Sequence, residues 1–248
     1  MKYPDVWRPL EDELDRWQSV GKQAAFWVRD DDAQHPTDAL EHLLNVVGAH
    51  AIPLTLAVIP RDTNDALARR LERSGSISVA VHGWSHENHA PIGEKKQELG
   101  RHRPPKTVLA ELQAGVDKLS ELYGSQFVSL LVPPWNRIDA SLVPHLSSVG
   151  FTGLSVFGPE QTSSIAIFNT HVDLIDWKGT RGGRDPAVLV GEIVERLTAV
   201  FDTNQPVGLL THHLVHDHGA RAFLDQLFAI TANHPACRWA SSSDFLPS

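Results

Sequence analysis

The sequence has one cysteine, Cys237, which excludes an internal disulfide and a thiolate zinc cluster and fits a reducing compartment. It has no apolar run of the roughly 18–20 residues a bilayer-spanning helix needs. Positive charge is also short. With 22 Lys and Arg against 30 Asp and Glu, the formal net charge is −8, the opposite of the basic footprint that nonspecific nucleic-acid binding requires. A Gly-rich or basic phosphate cradle is missing as well, which weighs against a phosphoesterase. Met1 to Trp7 lead into acidic residues rather than an apolar segment, so no secretory leader is read there and a cytoplasmic location is expected. Neither an internal repeat nor a Pro/Gly/Ser-rich linker divides the chain, and residues 1–248 are read as one domain.

What the sequence does have is 14 histidines, many of them close to the ends of short apolar segments. Ile77-Ser78-Val79-Ala80-Val81 reads as a buried strand that runs into His82-Gly83-Trp84-Ser85-His86. If one helical turn follows that strand, the two imidazoles project to the same side, as a pair of nitrogen ligands to a divalent metal must. Ala24 to Val28 reads as another strand and delivers Arg29 and then Asp30-Asp31-Asp32. Two imidazoles and a carboxylate would make a three-ligand site with an open position for water.

Around these strands the spacing predicts an α/β chain. An amphipathic helix uses Leu10, Leu14 and Trp17, and a second starts at the N-cap Thr37 with Leu40, Leu43, Leu44 and Val47 on one face. Pro53 to Pro60 is a near-continuous apolar run closed by proline, as in a strand buried on both faces. Asp62 to Ser74 reads as a helix, residues 87–106 as a polar loop or a flap, and Val108 to Tyr123 as a helix closed by Gly124. Phe127 to Val132 is a strand ending in Pro133-Pro134-Trp135-Asn136-Arg137. Asp139–Val149 reads as a short helix, Gly150–Val156 as the start of a strand, and residues 186–201 as an amphipathic helix. Pro206 to His213 is a strand ending in two histidines, and a helix over Ala220–Ala232 and a strand near Trp239 close the chain. Connections too long for hairpins make the sheet mostly parallel.

Taken in order, the polar clusters at these strand ends resemble the five motifs of the polysaccharide deacetylase family (carbohydrate esterase family four), over about residues 24–215. The aspartates match its Thr-Phe-Asp-Asp-Gly motif and His82 to His86 its His-x-x-x-His motif. Val132 to Asn136 match the groove wall, Asp173-Leu174-Ile175-Asp176-Trp177 the Asp-x-x-Asp-Trp motif, and Leu210-Thr211-His212 the final Leu-x-His. The resemblance implies an irregular (β/α)7-type barrel. It also implies a metal-dependent hydrolase that removes an N-acetyl or related acyl group from an amino sugar or saccharide precursor. A divalent metal, zinc first and then cobalt, nickel or manganese, would sit on Asp32, His82 and His86. Asp31 would be the catalytic base and His212 the acid, its imidazole held by Asp176 or Asp173. Trp135, Asn136, Arg137 and Trp177 would line a site for a small-molecule or oligosaccharide substrate.

The chain departs from the family pattern in places. Ala33 replaces the motif glycine, and with three aspartates in a row the base and ligand could also be Asp30 and Asp31, although Asp31 and Asp32 are the preferred register. Val132 replaces the arginine that usually precedes the groove prolines, and Arg29 or Arg137 would take over its electrostatic task, Arg29 being two residues from Asp31 on one strand face. The acid could be His213 instead of His212, and His89, His171 and His216 are further candidates to line the site. The lost arginine and glycine also keep open a carbohydrate-binding relative with lost or altered catalysis.

Overall fold

The structure is a computed structural model and describes residues 5–247. The reading of the first residues falls partly on 1–4, outside that range. Helix α1 (Arg8–Ser19) buries Leu10, Leu14 and Trp17, the stripe its spacing predicts. Strand β1 (Ala24–Ala33) carries the aspartates. Helix α2 (Asp38–Ala49) starts where the Thr37 side chain accepts the Leu40 N–H. Strand β2 (Leu54–Val58) is buried at every position. Helix α3 (Asp65–Leu71) is shorter than the Asp62–Ser74 segment expected from spacing, because Asn64 caps it by accepting the Ala66 N–H.

Strand β3 (Ile77–Val81), also fully buried, precedes the His-x-x-x-His segment. Helix α4 (Pro105–Tyr123) begins with a proline in its first turn and stops at Gly124, whose φ of 52° suits a residue without Cβ. Strand β4 (Phe127–Leu131) follows. The expected helix over 139–149 is a 3₁₀ segment, Val143–Val149, with a proline near its start. Three two-residue strands come next: β5 (Gly153–Leu154), β6 (Ala166–Ile167) and β7 (Val172–Asp173). Helix α5 (Pro186–Ala199) is capped by Asp185, and β8 (Val207–Thr211) is buried throughout. Helix α6 (His218–Thr231), capped by Asp217, and strand β9 (Cys237–Trp239) complete the order.

By internal contacts the chain falls into two compact units. One contains residues up to 29, 37–54 and 170–240. In it β7 runs parallel to β8, with Val172 opposite Leu209, and the start of β1 runs parallel to β9, with Ala24 opposite Cys237. Its core is aromatic: Trp17 meets Phe201 edge-on at 5.2 Å, and Trp239 packs against both Phe26 and Phe228.

The other unit contains residues 30–36, 55–169 and those from 241. Strands β3 to β6 pair in sequence order, all parallel. Just past the strands the ladder continues: Ile59 N donates to Ala33 O (3.0 Å), His82 N to Val58 O (2.9 Å) and Val132 N to Val81 O (2.8 Å). The carboxyl ends of β1, β2, β3 and β4 are thereby brought side by side, which is where α/β sheets present their ligand-binding residues. Among the described residues no helix is long and apolar enough to cross a membrane.

Candidate metal centre and polar site

Asp32, His82 and His86 converge at those strand ends, each offering a ligand atom within 4.8 Å of the others. The Asp32 Oδ1 lies 3.1 Å from His82 Nε2 and 3.2 Å from His86 Nε2. His82 is fully enclosed, and its Nδ1–H donates to the Val132 carbonyl at 2.9 Å. That bond fixes the tautomer, leaving a lone pair on Nε2 directed at the carboxylate. Two acceptors facing each other at this distance need a proton or a cation between them. Burial, and then the neighbouring His82, hold the His86 pKa below its usual 6.5, against the opposing pull of Asp32 and Asp31. A neutral His86 favours the cation, so the donor set fits a divalent metal of the zinc class.

The convergence does not come from a helical turn. Residues 82–86 are irregular, and both Gly83 (φ 61°) and His86 (φ 57°) are left-handed. Asp32 is left-handed too (φ 72°), which breaks the strand alternation that would aim Asp31 and Asp32 at opposite faces. Strained residues of this kind persist where the surroundings over-determine them, characteristically at functional sites.

A residue that sequence reasoning missed holds the turn. The Glu98 side chain is fully buried and accepts hydrogen bonds from Trp84 N, Ser85 N, Ser85 Oγ and His86 N. It lies in the segment expected to be a solvated loop or flap. Its only sequence cue is the neighbouring Leu99, too little to mark a buried carboxylate. Beside this turn stands Trp135, its ring 4.3 Å from that of His86 and its backbone left-handed (φ 55°), as is that of Asn136 (φ 56°). Arg137 donates from Nη1 to the Lys96 carbonyl at 2.8 Å. Asp30 and Asp31 are buried at the end of β1.

Arg29, Asp173, Asp176, Trp177 and His212 belong to the other unit. Arg29 is fully buried. Strand β8 ends at Thr211, so His212 and His213 do not alternate along a regular strand: His213 is buried in a 3₁₀ turn and His212 is half-buried before it. The His212 ring meets the Trp177 ring edge-on at 4.7 Å, and its buried Nδ1 has no hydrogen-bond partner among the described residues. Asp173 accepts from Ile175 N (3.0 Å) and from Trp177 Nε1 (2.9 Å). Asp176 accepts from Gly179 N and Thr180 N, both at 3.0 Å, and the Thr180 amide foremost lowers its pKa. His216 pairs with the Thr211 hydroxyl, and His171 Nδ1 accepts from Gly208 N.

Among curated proteins none matches the sequence. Among solved structures, a Mycobacterium smegmatis protein named as a polysaccharide deacetylase is similar over 98% of this chain and 91% of its own, with a TM-score of 0.68 and 18% identity. A peptidoglycan N-acetylglucosamine deacetylase in complex with an N-hydroxybenzamide gives a TM-score of 0.60 at 15% identity, over 91% of this chain and 89% of that one. A family 4 carbohydrate esterase from Streptomyces lividans, in complex with acetate, gives 0.57 at 16% identity, over 87% and 91%. At these identities the likeness establishes the fold: α/β with parallel strands, of the (β/α)7-barrel type expected from the motifs. The sequence profile of the polysaccharide deacetylases matches residues 21–154, more than half of the chain. With strand ends, histidine turn and profile in agreement, this chain belongs to the polysaccharide deacetylase family.

Proposed function

We propose that the chain is a metal-dependent hydrolase that cleaves the amide of an N-acetylated amino sugar or saccharide precursor, with residues 1–248 acting as one catalytic domain in the cytoplasm. The observation that carries this reading is the convergence of Asp32, His82 and His86 at the carboxyl end of the sheet, with a tautomer that points a lone pair at a carboxylate. A divalent ion held there, zinc or else cobalt, nickel or manganese, would lower the pKa of water towards about 7 and polarise the acyl carbonyl.

The chain's own residues supply the rest. Asp32 on the two histidines supports the register in which Asp31 is the base, and Asp31 would take the water's proton as oxygen bonds to the acyl carbon. His212 would give a proton to the departing nitrogen as the carbon–nitrogen bond breaks. Its position is supported by the Trp177 ring edge, which is itself tied to Asp173. Asp176 and Arg29 would orient the acid and the base. Trp135, with Asn136 and Arg137, and the exposed Trp177 would offer stacking and polar contacts to a sugar ring.

Metal-loaded protein incubated with a panel of N-acetylated mono- and oligosaccharides tests the reading. Acetate and free amine should appear in equal amounts, and removal of the metal should stop both. Saccharide binding without acetate release would favour the non-catalytic relative that the Val132 and Ala33 departures keep open.

A further inference from the structure

We propose that Glu98 is a positioning residue that holds the His82–His86 turn in its metal-binding shape, an inference that rests on the metal site proposed above. Its carboxylate is fully buried, and among the described residues it pairs with no Lys, Arg or His. A buried carboxylate without a cation is costly unless donors surround it. Here four donors do: Oε1 accepts from Trp84 N (3.2 Å), Ser85 N (2.8 Å) and Ser85 Oγ (3.1 Å), and Oε2 from His86 N (3.2 Å). All four belong to three consecutive residues that separate or include the ligands, so the carboxylate is the centre about which the turn is wrapped.

The backbone around it agrees. A Cβ on Gly83 would lie 2.2 Å from Glu98 Oε2, so the glycine between the ligand His82 and Trp84 leaves room for this carboxylate as well as adopting a φ of 61°. His86 is left-handed with its N–H on Glu98, a conformation a non-glycine residue keeps only when held.

The segment bearing Glu98 is itself anchored on its other side. Leu99 O accepts from Asp139 N (2.8 Å) and Lys96 O from Arg137 Nη1 (2.8 Å), and Leu99 bridges to Ile138. Residues 96–99 therefore strap the histidine turn to the loop that presents Trp135, whose ring packs on His86. Glu98 touches no reacting atom in this arrangement; it acts through His82 and His86.

Metal titration of chelator-treated protein, with folding followed by circular dichroism, tests the proposal. In Glu98→Gln an NH₂ replaces one acceptor and faces N–H donors. We expect a folded protein that still takes one ion per chain at saturation, with affinity about 10–100-fold weaker, the usual cost of losing a partner behind a metal ligand. Ser85→Ala deletes one donor and should weaken binding by about two- to tenfold, the worth of one hydrogen bond. A folded Glu98→Gln protein with affinity within twofold of wild type overturns the proposal, and should that variant not fold, unchanged affinity in Ser85→Ala does so. Wild-type protein that binds the ion but releases no acetate sinks the proposed hydrolase and leaves this inference standing. Wild-type protein that takes up no divalent ion sinks both.

Discussion

The two polar clusters of this chain are built in opposite ways. At the ends of β1 and β3, Asp32 meets His82 and His86 across a sequence gap of about fifty residues, and a carboxylate from a third segment, Glu98, closes the arrangement. Between β7 and α5 the carboxylates are engaged locally. Asp173 and Asp176 each accept from donors no more than four residues ahead, and Arg184, eleven residues on, donates to the Asp173 carbonyl. A local turn re-forms around a lost bond because its backbone is continuous. A convergence of distant residues, two of them (Asp32 and His86) with φ of 72° and 57°, has no such fallback. Substitution of any of the three converging ligands, Asp32, His82 or His86, should therefore be all-or-nothing, whereas substitutions in the second cluster should be graded.

The largest effect tests the all-or-nothing side. Asp32→Asn or His86→Ala should reduce acetate release to background while leaving the circular dichroism spectrum unchanged, because both side chains are partly exposed at the rim of the sheet. Graded loss in either variant would break the comparison. Next in size, His212→Ala should lower kcat by about 10²–10⁴, the range for a general acid, with metal content unaltered. Metal loss in that variant would place His212 in the first cluster rather than the second.

A smaller effect concerns pH. The His86 pKa lies below its usual 6.5 because of burial and then His82. Protons therefore compete for this ligand only at lower pH, and metal uptake should stay on its plateau as pH falls through 6.5. The same shift leaves the unfolded chain binding more protons than the native one. Its contribution to the stability of the metal-free protein is thus fully present above pH 6.5 and is lost as pH falls below it. Thermal melts of the metal-free protein between pH 7.5 and 5 should show that decline, and a melting temperature that rises on acidification would contradict it. Smallest is Asp173→Asn, which costs the Trp177 indole or the Ile175 amide its acceptor. It should raise KM by about two- to fivefold with kcat little changed, as expected for one hydrogen bond to a wall residue.

How legible all this was in the sequence follows the same division. Local chemistry was readable: the Thr37 cap, the Gly124 stop, the Leu10–Leu14–Trp17 stripe and the buried run of β3 are each a few adjacent residues with one physical meaning. The histidine and aspartate motifs were readable as strand-end clusters, and their order pointed to the family. The means of bringing them together was not. An isolated glutamate in a polar segment carries no periodicity, and left-handed backbone at Asp32, His86 and Trp135 leaves no mark on residue type. The two-residue strands β5, β6 and β7 are too short for alternation to register, which is why Gly150–Val156 reads longer than the strand it holds. Helix α3 was overextended because apolar spacing outruns the cap that starts it at Asn64.

The central claim is that Asp32, His82 and His86 bind one divalent ion. Isothermal titration of zinc into chelator-treated wild type and into an Asp32→Asn/His82→Gln double variant tests it most directly. The account predicts one site per chain in the wild type and no measurable binding in the folded double variant. No binding to the wild type, or unchanged affinity in the double variant, would contradict it.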